Sequence, residues 1–157
     1  LAKYFDTTWV REYSREYLEK LGRKYDYNDI LAIARGQYEL EQQTLEKAQG
    51  YLICDTEFIV NKVWCDEKFG ECHSWIEEMI VRHPYDLYLL CNTDLAWEAD
   101  PLRENPDDRD RLLMMYKYEL ESRNLPYALI SGVGDERSKM AIEAITQYFK
   151  LPTAHRP

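Results

Sequence analysis

Four short runs rich in apolar, β-branched and aromatic residues recur along the chain. Each is followed by a stretch with helical spacing, and this alternation limits the accessible folds more than any other feature. The runs are FDTTWV (Phe5 to Val10), YLICDTEF (Tyr51 to Phe58), YDLYLLC (Tyr85 to Cys91) and YALISG (Tyr127 to Gly132). YLICDTEF and YDLYLLC are continuously apolar before they end in polar residues, the pattern of a parallel strand covered on both faces. Between the runs, REYSREYLEKLG carries apolar residues at helical spacing and stops at Gly22. A long helix is expected from about Asp29 to Ala48, capped by Asn28 and ended by Gly50. Further helices are expected over 58–69, 74–83 and 107–123, with a last one running to about Lys150. Strands separated by helices require right-handed crossovers, so the fold class is α/β with a parallel sheet flanked by helices. The opening LAKYF reads as the last turns of a helix that begins upstream of Leu1.

The 157 residues amount to one domain, with 29 Asp+Glu against 20 Lys+Arg and a net charge of −9. That balance argues against a nonspecific grip on nucleic acid or an anionic membrane, both of which need a Lys/Arg face. No apolar run approaches the roughly 20 residues of a membrane span, and no basic-then-apolar leader opens the chain. The expected location is the cytoplasm. Cys54, Cys65, Cys72 and Cys91 lack C-x-x-C spacing and read as reduced core thiols, Cys54 and Cys91 inside buried strands. His73, His83 and His155 lack the spacing of a zinc site.

Four places carry chemistry. Asp55-Thr56-Glu57 leaves the second strand at its carboxyl end, where nucleotide-binding sheets place a carboxylate beside magnesium; the same residues also suit a simple helix cap. Thr7 to Tyr17 contains Trp9, Glu12 and Tyr13, with Glu12/Glu16 and Arg11/Arg15 at spacings that share a helix face. The stretch from Asn92 to Asp110 has two prolines and seven acidic residues in nineteen, and reads as a mobile, solvated lid over about 92–110. It contains Asp94, Trp97, Asp100, Arg103 and Arg109, and an arginine fork suits a transferring phosphoryl group. Last, Ser131-Gly132-Val133-Gly134 is a turn against which a flat base can lie.

In this order the motifs resemble the ribosylnicotinamide kinase domain of NadR-type proteins, AAA-type ATPase-like members of the P-loop NTPases. The matching stretches are TTWVREYSREYL (7–18), DILAIARGQYELE (29–41), ICDTEFIVNKVW (53–64), YDLYLLCNTDLAWEADPLRENPDDR (85–109) and LPYALISGVGDER (125–137). The resemblance implies a three-layer, nucleoside-kinase-like fold in a single domain with a mobile lid. It departs at the front: the family's G-x-x-x-x-G-K-[ST] phosphate loop is not within these residues and is expected upstream of Leu1.

The resemblance also implies ATP and Mg2+ as cofactors, and transfer of the γ-phosphoryl group to the 5'-hydroxyl of nicotinamide riboside. On that reading Asp55 orients magnesium or accepts the hydroxyl proton, Glu12 is the rival base, and Arg103 with Arg109 clamps the migrating phosphate. The substrate's pyridinium cation favours aromatic faces and carboxylates. Trp9, Tyr13 and Trp97 supply faces and Glu12 and Asp55 the charge, Asp100 joins the substrate-binding set, and Gly132, Val133 and Gly134 hold the nucleotide base, while Trp64 reads as core. The alternatives are a kinase of another nucleoside or small alcohol, and a nucleotide-binding regulatory ATPase. Self-association is left open.

Overall fold

The computed structural model describes residues 1–48, 50–96 and 107–151. The chain divides into two compact units, Leu1–Pro84 and the part from Tyr85 onward.

In the first unit, β1 (Thr8–Val10) pairs in parallel with β2 (Leu52–Cys54), Trp9 opposite Ile53 and Val10 opposite Cys54. The crossover between them holds α1 (Tyr13–Leu21) and α2 (Tyr27–Leu45), and α2 packs on both strands. β1 is shorter than the expected Phe5–Val10 run, because residues before it form hydrogen-bonded turns, with Phe5 N–H donating to Leu1 C=O at 3.1 Å. α1 ends at Gly22 with φ 66°, the left-handed stop that glycine accepts without penalty. The cap of α2 is Asp26 and not Asn28. Its carboxylate accepts from the N–H groups of Asn28 and Asp29, and the Asp29 side chain accepts from Asp26 N–H, a reciprocal capping box. α2 also stops at Leu45, short of Ala48, with Lys47 and Ala48 in turns. Then come α3 (Phe58–Phe69), closed by Gly70, and α4 (Ser74–Arg82), as the spacing indicated. Ile30, Ile33, Ile59, Val63, Cys65, Ile76 and Val10 are the fully buried centre. Trp64 packs edge-on against Tyr25 and donates to its hydroxyl at 3.0 Å, a structural placement.

In the second unit, β3 (Tyr88–Cys91) pairs in parallel with β4 (Tyr127–Ile130) across a crossover that contains α5 (Arg109–Ser122), and α6 (Asp135–Tyr148) packs on β4. The cysteines are all free, but only Cys65 is buried, and Cys91 is exposed. Leu129 is likewise 42% exposed. The expectation of a buried thiol at Cys91 and of full cover on this ladder therefore fails at these positions, where no described element covers the side chain.

Candidate functional site

The first unit builds a carboxylate corner where β1 and β2 part. The ladder ends with Asp55 N–H donating to Val10 C=O at 2.8 Å. Beyond it, one chain turns into α1 through Arg11 and Glu12, and the other takes Thr56 through φ 70°, a strained conformation for a β-branched residue. Glu57 then caps α3, accepting from Ile59 N–H at 2.7 Å and Val60 N–H at 3.2 Å. Burial pushes its carboxyl up to about 7 against those two bonds. Glu57 is thus the cap of α3, and Asp55 is left exposed at the strand end.

Partial desolvation raises the Asp55 carboxyl pKa, the charge of Glu12 raises it further, and Arg15 opposes them. Glu12 occupies the N-cap position of α1, so it does not share a helix face with Glu16 as its spacing suggested. It accepts from Ser14 Oγ at 2.7 Å and lies 3.8 Å from Arg15 Nε, while Glu16 is held by Arg11 and Lys20. Trp9 is 55% exposed. Tyr13 lies with its ring on the α2 backbone at Gly36, and its N–H donates to Gln37 Oε1 at 2.8 Å. In the first unit Glu12 and Asp55 are close enough to interact, and Gln37 links Tyr13 N–H to Asp55 C=O, while Trp9 is exposed on β1.

The second unit joins the ends of β3 and β4. Asp94 accepts from Gly132 N–H at 2.6 Å and from Arg137 Nη1 at 2.7 Å. Arg137 also donates to the carbonyls of Gly132 at 3.1 Å and Asn92 at 2.8 Å. The Gly132 N–H, and then Arg137, hold the Asp94 carboxyl below its ordinary range. Gly132 has φ 94°, open to glycine alone, so the turn between Ser131 and Gly134 takes a shape that a side chain would forbid. A cavity of about 500 Å³ beside it is lined by residues including Cys91, Thr93, Leu95, Arg109, Tyr116 and Val133. Arg109 donates to Leu95 C=O at 2.7 Å. Arg109 and Val133 therefore share this cavity, flanked by Gly132 and Gly134. Trp97, Asp100 and Arg103, with most of the expected lid, lie outside the described residues.

Sequence reasoning missed Arg137, Gly36 and Gln37. A glycine followed by a glutamine inside a helix is a usable signal for the last two, because both residues are poor choices for a buried helix face unless something packs on them.

Two parallel ladders with crossover helices define an α/β protein, and its fold is that of the P-loop NTPases. The family model described as "AAA domain" matches residues 1–137, and the chain belongs to that family. It is 26% identical over 154 residues to the trifunctional NAD biosynthesis/regulator protein NadR of Escherichia coli, covering 94% of this chain and 38% of that protein. It is 27% identical over 117 residues to the protein of the same name from Salmonella typhimurium, covering 71% of this chain and 28% of the relative. A crystal structure of NadR protein in complex with NAD and AMP-PNP superposes with a TM-score of 0.80 at 20% identity, covering 99% of this chain and 46% of that one. The chain therefore spans less than half the length of these relatives.

Proposed function

We propose that the chain is the catalytic part of an ATP-dependent nucleoside kinase that phosphorylates nicotinamide riboside to nicotinamide mononucleotide. The observation that carries the reading is the pairing of Asp55 with Glu12 at the strand ends, close enough that the charge of one raises the pKa of the other, with the exposed Trp9 indole three residues away in sequence. A pyridinium cation is attracted by both an indole face and carboxylates. The relatives' part in NAD biosynthesis supports the choice of riboside, and the AMP-PNP bound by the solved relative supports ATP as donor.

Magnesium suits the donor set. Among the described residues no three His, Cys, Asp or Glu cluster as a metal cage. One or two carboxylates that share an ion with nucleotide phosphates are instead how magnesium is usually bound. Asp55, backed by Glu12, is the residue that would hold it, and the bound ion would neutralise charge on the phosphate oxygens. The chain's own work is to bind and orient. Trp9 and Tyr13 offer faces to the nicotinamide ring, and Gly132 to Gly134 receives the adenine. The 5'-hydroxyl gives its proton to Asp55 or Glu12 as the γ-phosphoryl group moves to that oxygen and ADP leaves. On the resemblance alone, Arg103 and Arg109 are assigned to the phosphoryl charge. Among the described residues each two-stranded ladder has edges to which a further strand can add.

The test is turnover by the full-length protein, using MgATP and a panel of nucleosides. The expected result is stoichiometric nicotinamide mononucleotide and ADP, with kcat/KM for nicotinamide riboside about a hundredfold above that for uridine, cytidine or adenosine. Preference for another nucleoside overturns the substrate, and ATP hydrolysis without a phosphorylated product overturns the kinase.

A further inference from the structure

We propose that Gln37 of α2 positions the carboxylate corner, its side-chain amide standing in for the ladder rung that β1 and β2 cannot make once they part. The inference rests on the kinase reading above and adds a positioning residue to it.

After the bond from Asp55 N–H to Val10 C=O, the two chains diverge, and the ladder offers no partner for groups farther along. Tyr13 N–H is at the first position of α1, where no intrahelical acceptor exists. Asp55 C=O is at the last position before the Thr56 kink. Part-buried backbone groups left in this way gain from a side-chain partner. Gln37 serves both: its Oε1 accepts from Tyr13 N–H at 2.8 Å, and its Nε2 donates toward Asp55 C=O at 3.4 Å. A side-chain amide has the donor and acceptor of a peptide group, so it bridges the split as a strand residue would. The cost of this choice is visible in burial. Gln37 is 4% exposed on a helix whose other buried residues include Ile30, Ile33 and Ala34, and an apolar side chain would pack there without a polar group to satisfy.

Gly36 completes the lock. A Cβ there would stand 2.1 Å from Tyr13 Cε1, so the ring rests directly on the α2 backbone. Gly36 and Gln37 together hold the first turn of α1 by ring and by N–H. Glu12 immediately precedes that turn, and Asp55 carries the carbonyl at the other end of the bridge. The amide thereby sets the separation of the two carboxylates.

The experiment compares Gln37→Met with wild type in the full-length protein, well below the variant's unfolding midpoint. Methionine keeps the length and offers no amide. Gln37→Met is expected to lower kcat about tenfold or more and to leave the KM for ATP within about twofold. Independently of any substrate, the Tyr13 amide should exchange with deuterium about tenfold faster in Gln37→Met. Wild-type kcat in the folded Gln37→Met protein, or unchanged Tyr13 exchange, overturns the proposal. A wild-type protein with no riboside turnover overturns the kinase reading instead, and leaves the exchange rate to judge the bridge.

Discussion

Asp29 shows how much one side chain can carry. It is 4% exposed, and it accepts from Tyr17 Oη at 2.7 Å, from Arg23 at 2.6 and 2.9 Å, and from Asp26 N–H at 2.7 Å. Arg23 foremost, with Asp26 N–H and Tyr17 helping and burial opposing, brings its carboxyl down from an ordinary 3.8 to about 2. A carboxyl with a depressed folded pKa contributes stability that is fully present above its unfolded pKa and is lost as pH falls through the folded value. Because Arg23 is half exposed, the contribution is discounted to about 1 to 2 kcal/mol. The stability gap between wild type and Asp29→Asn, measured by urea unfolding, should be constant from pH 7 to about 5 and should narrow from about pH 4 to about pH 2. A gap that stays constant down to pH 2 would show that the ionised carboxyl is not what the network holds. The sequence placed Asp29 correctly in the first turn of α2, but its partners Tyr17 and Arg23, twelve and six residues earlier, were not readable as a network.

Among the elements, α2 is the one on which the first unit hangs, since it packs on α1, α3, α4 and both strands. Glycine inside an exposed helix costs about 1 kcal/mol relative to alanine, so Gly36→Ala would ordinarily stabilise. Here the new methyl group would overlap three atoms of the Tyr13 ring, at 2.1 to 2.7 Å, and overpacking of that kind costs about 1 to 3 kcal/mol. Gly36→Ala is therefore expected to lower the thermal midpoint by several degrees, and to cost little further when added to Tyr13→Ala, where the ring it would strike is gone. A raised midpoint in the single variant, or additive losses in the double, would contradict the contact. The existence and order of these elements followed from apolar periodicity and glycine stops. Their ends did not always follow, because Asn28 and Asp26 are both good caps and only the fold decides which carboxylate or amide meets the free N–H groups.

For the whole molecule, charge is the property that acts at a distance. A chain of net charge −9 attracts a cationic substrate, and salt screens that attraction. Raising ionic strength from about 0.02 to 0.3 M should lower kcat/KM for nicotinamide riboside about two- to fivefold, and should leave the uncharged dihydro form nearly unaffected. Equal responses would assign no steering to the acidic surface. The sequence by itself determined the α/β class, the parallel pairing of successive apolar runs, the family, and Asp55 at a strand's carboxyl end. These follow from local pattern, because the period of hydrophobicity and the position of a turn residue are written along the chain. Only the tertiary structure decided that Glu57 rather than Asp55 caps α3, that Cys91 and Leu129 lie open, that Arg137 ties Asp94 to the glycine turn, and that Gln37 closes the split between β1 and β2. Each of those depends on groups far apart in sequence meeting in space, where burial and orphaned hydrogen-bonding groups settle which partner is satisfied.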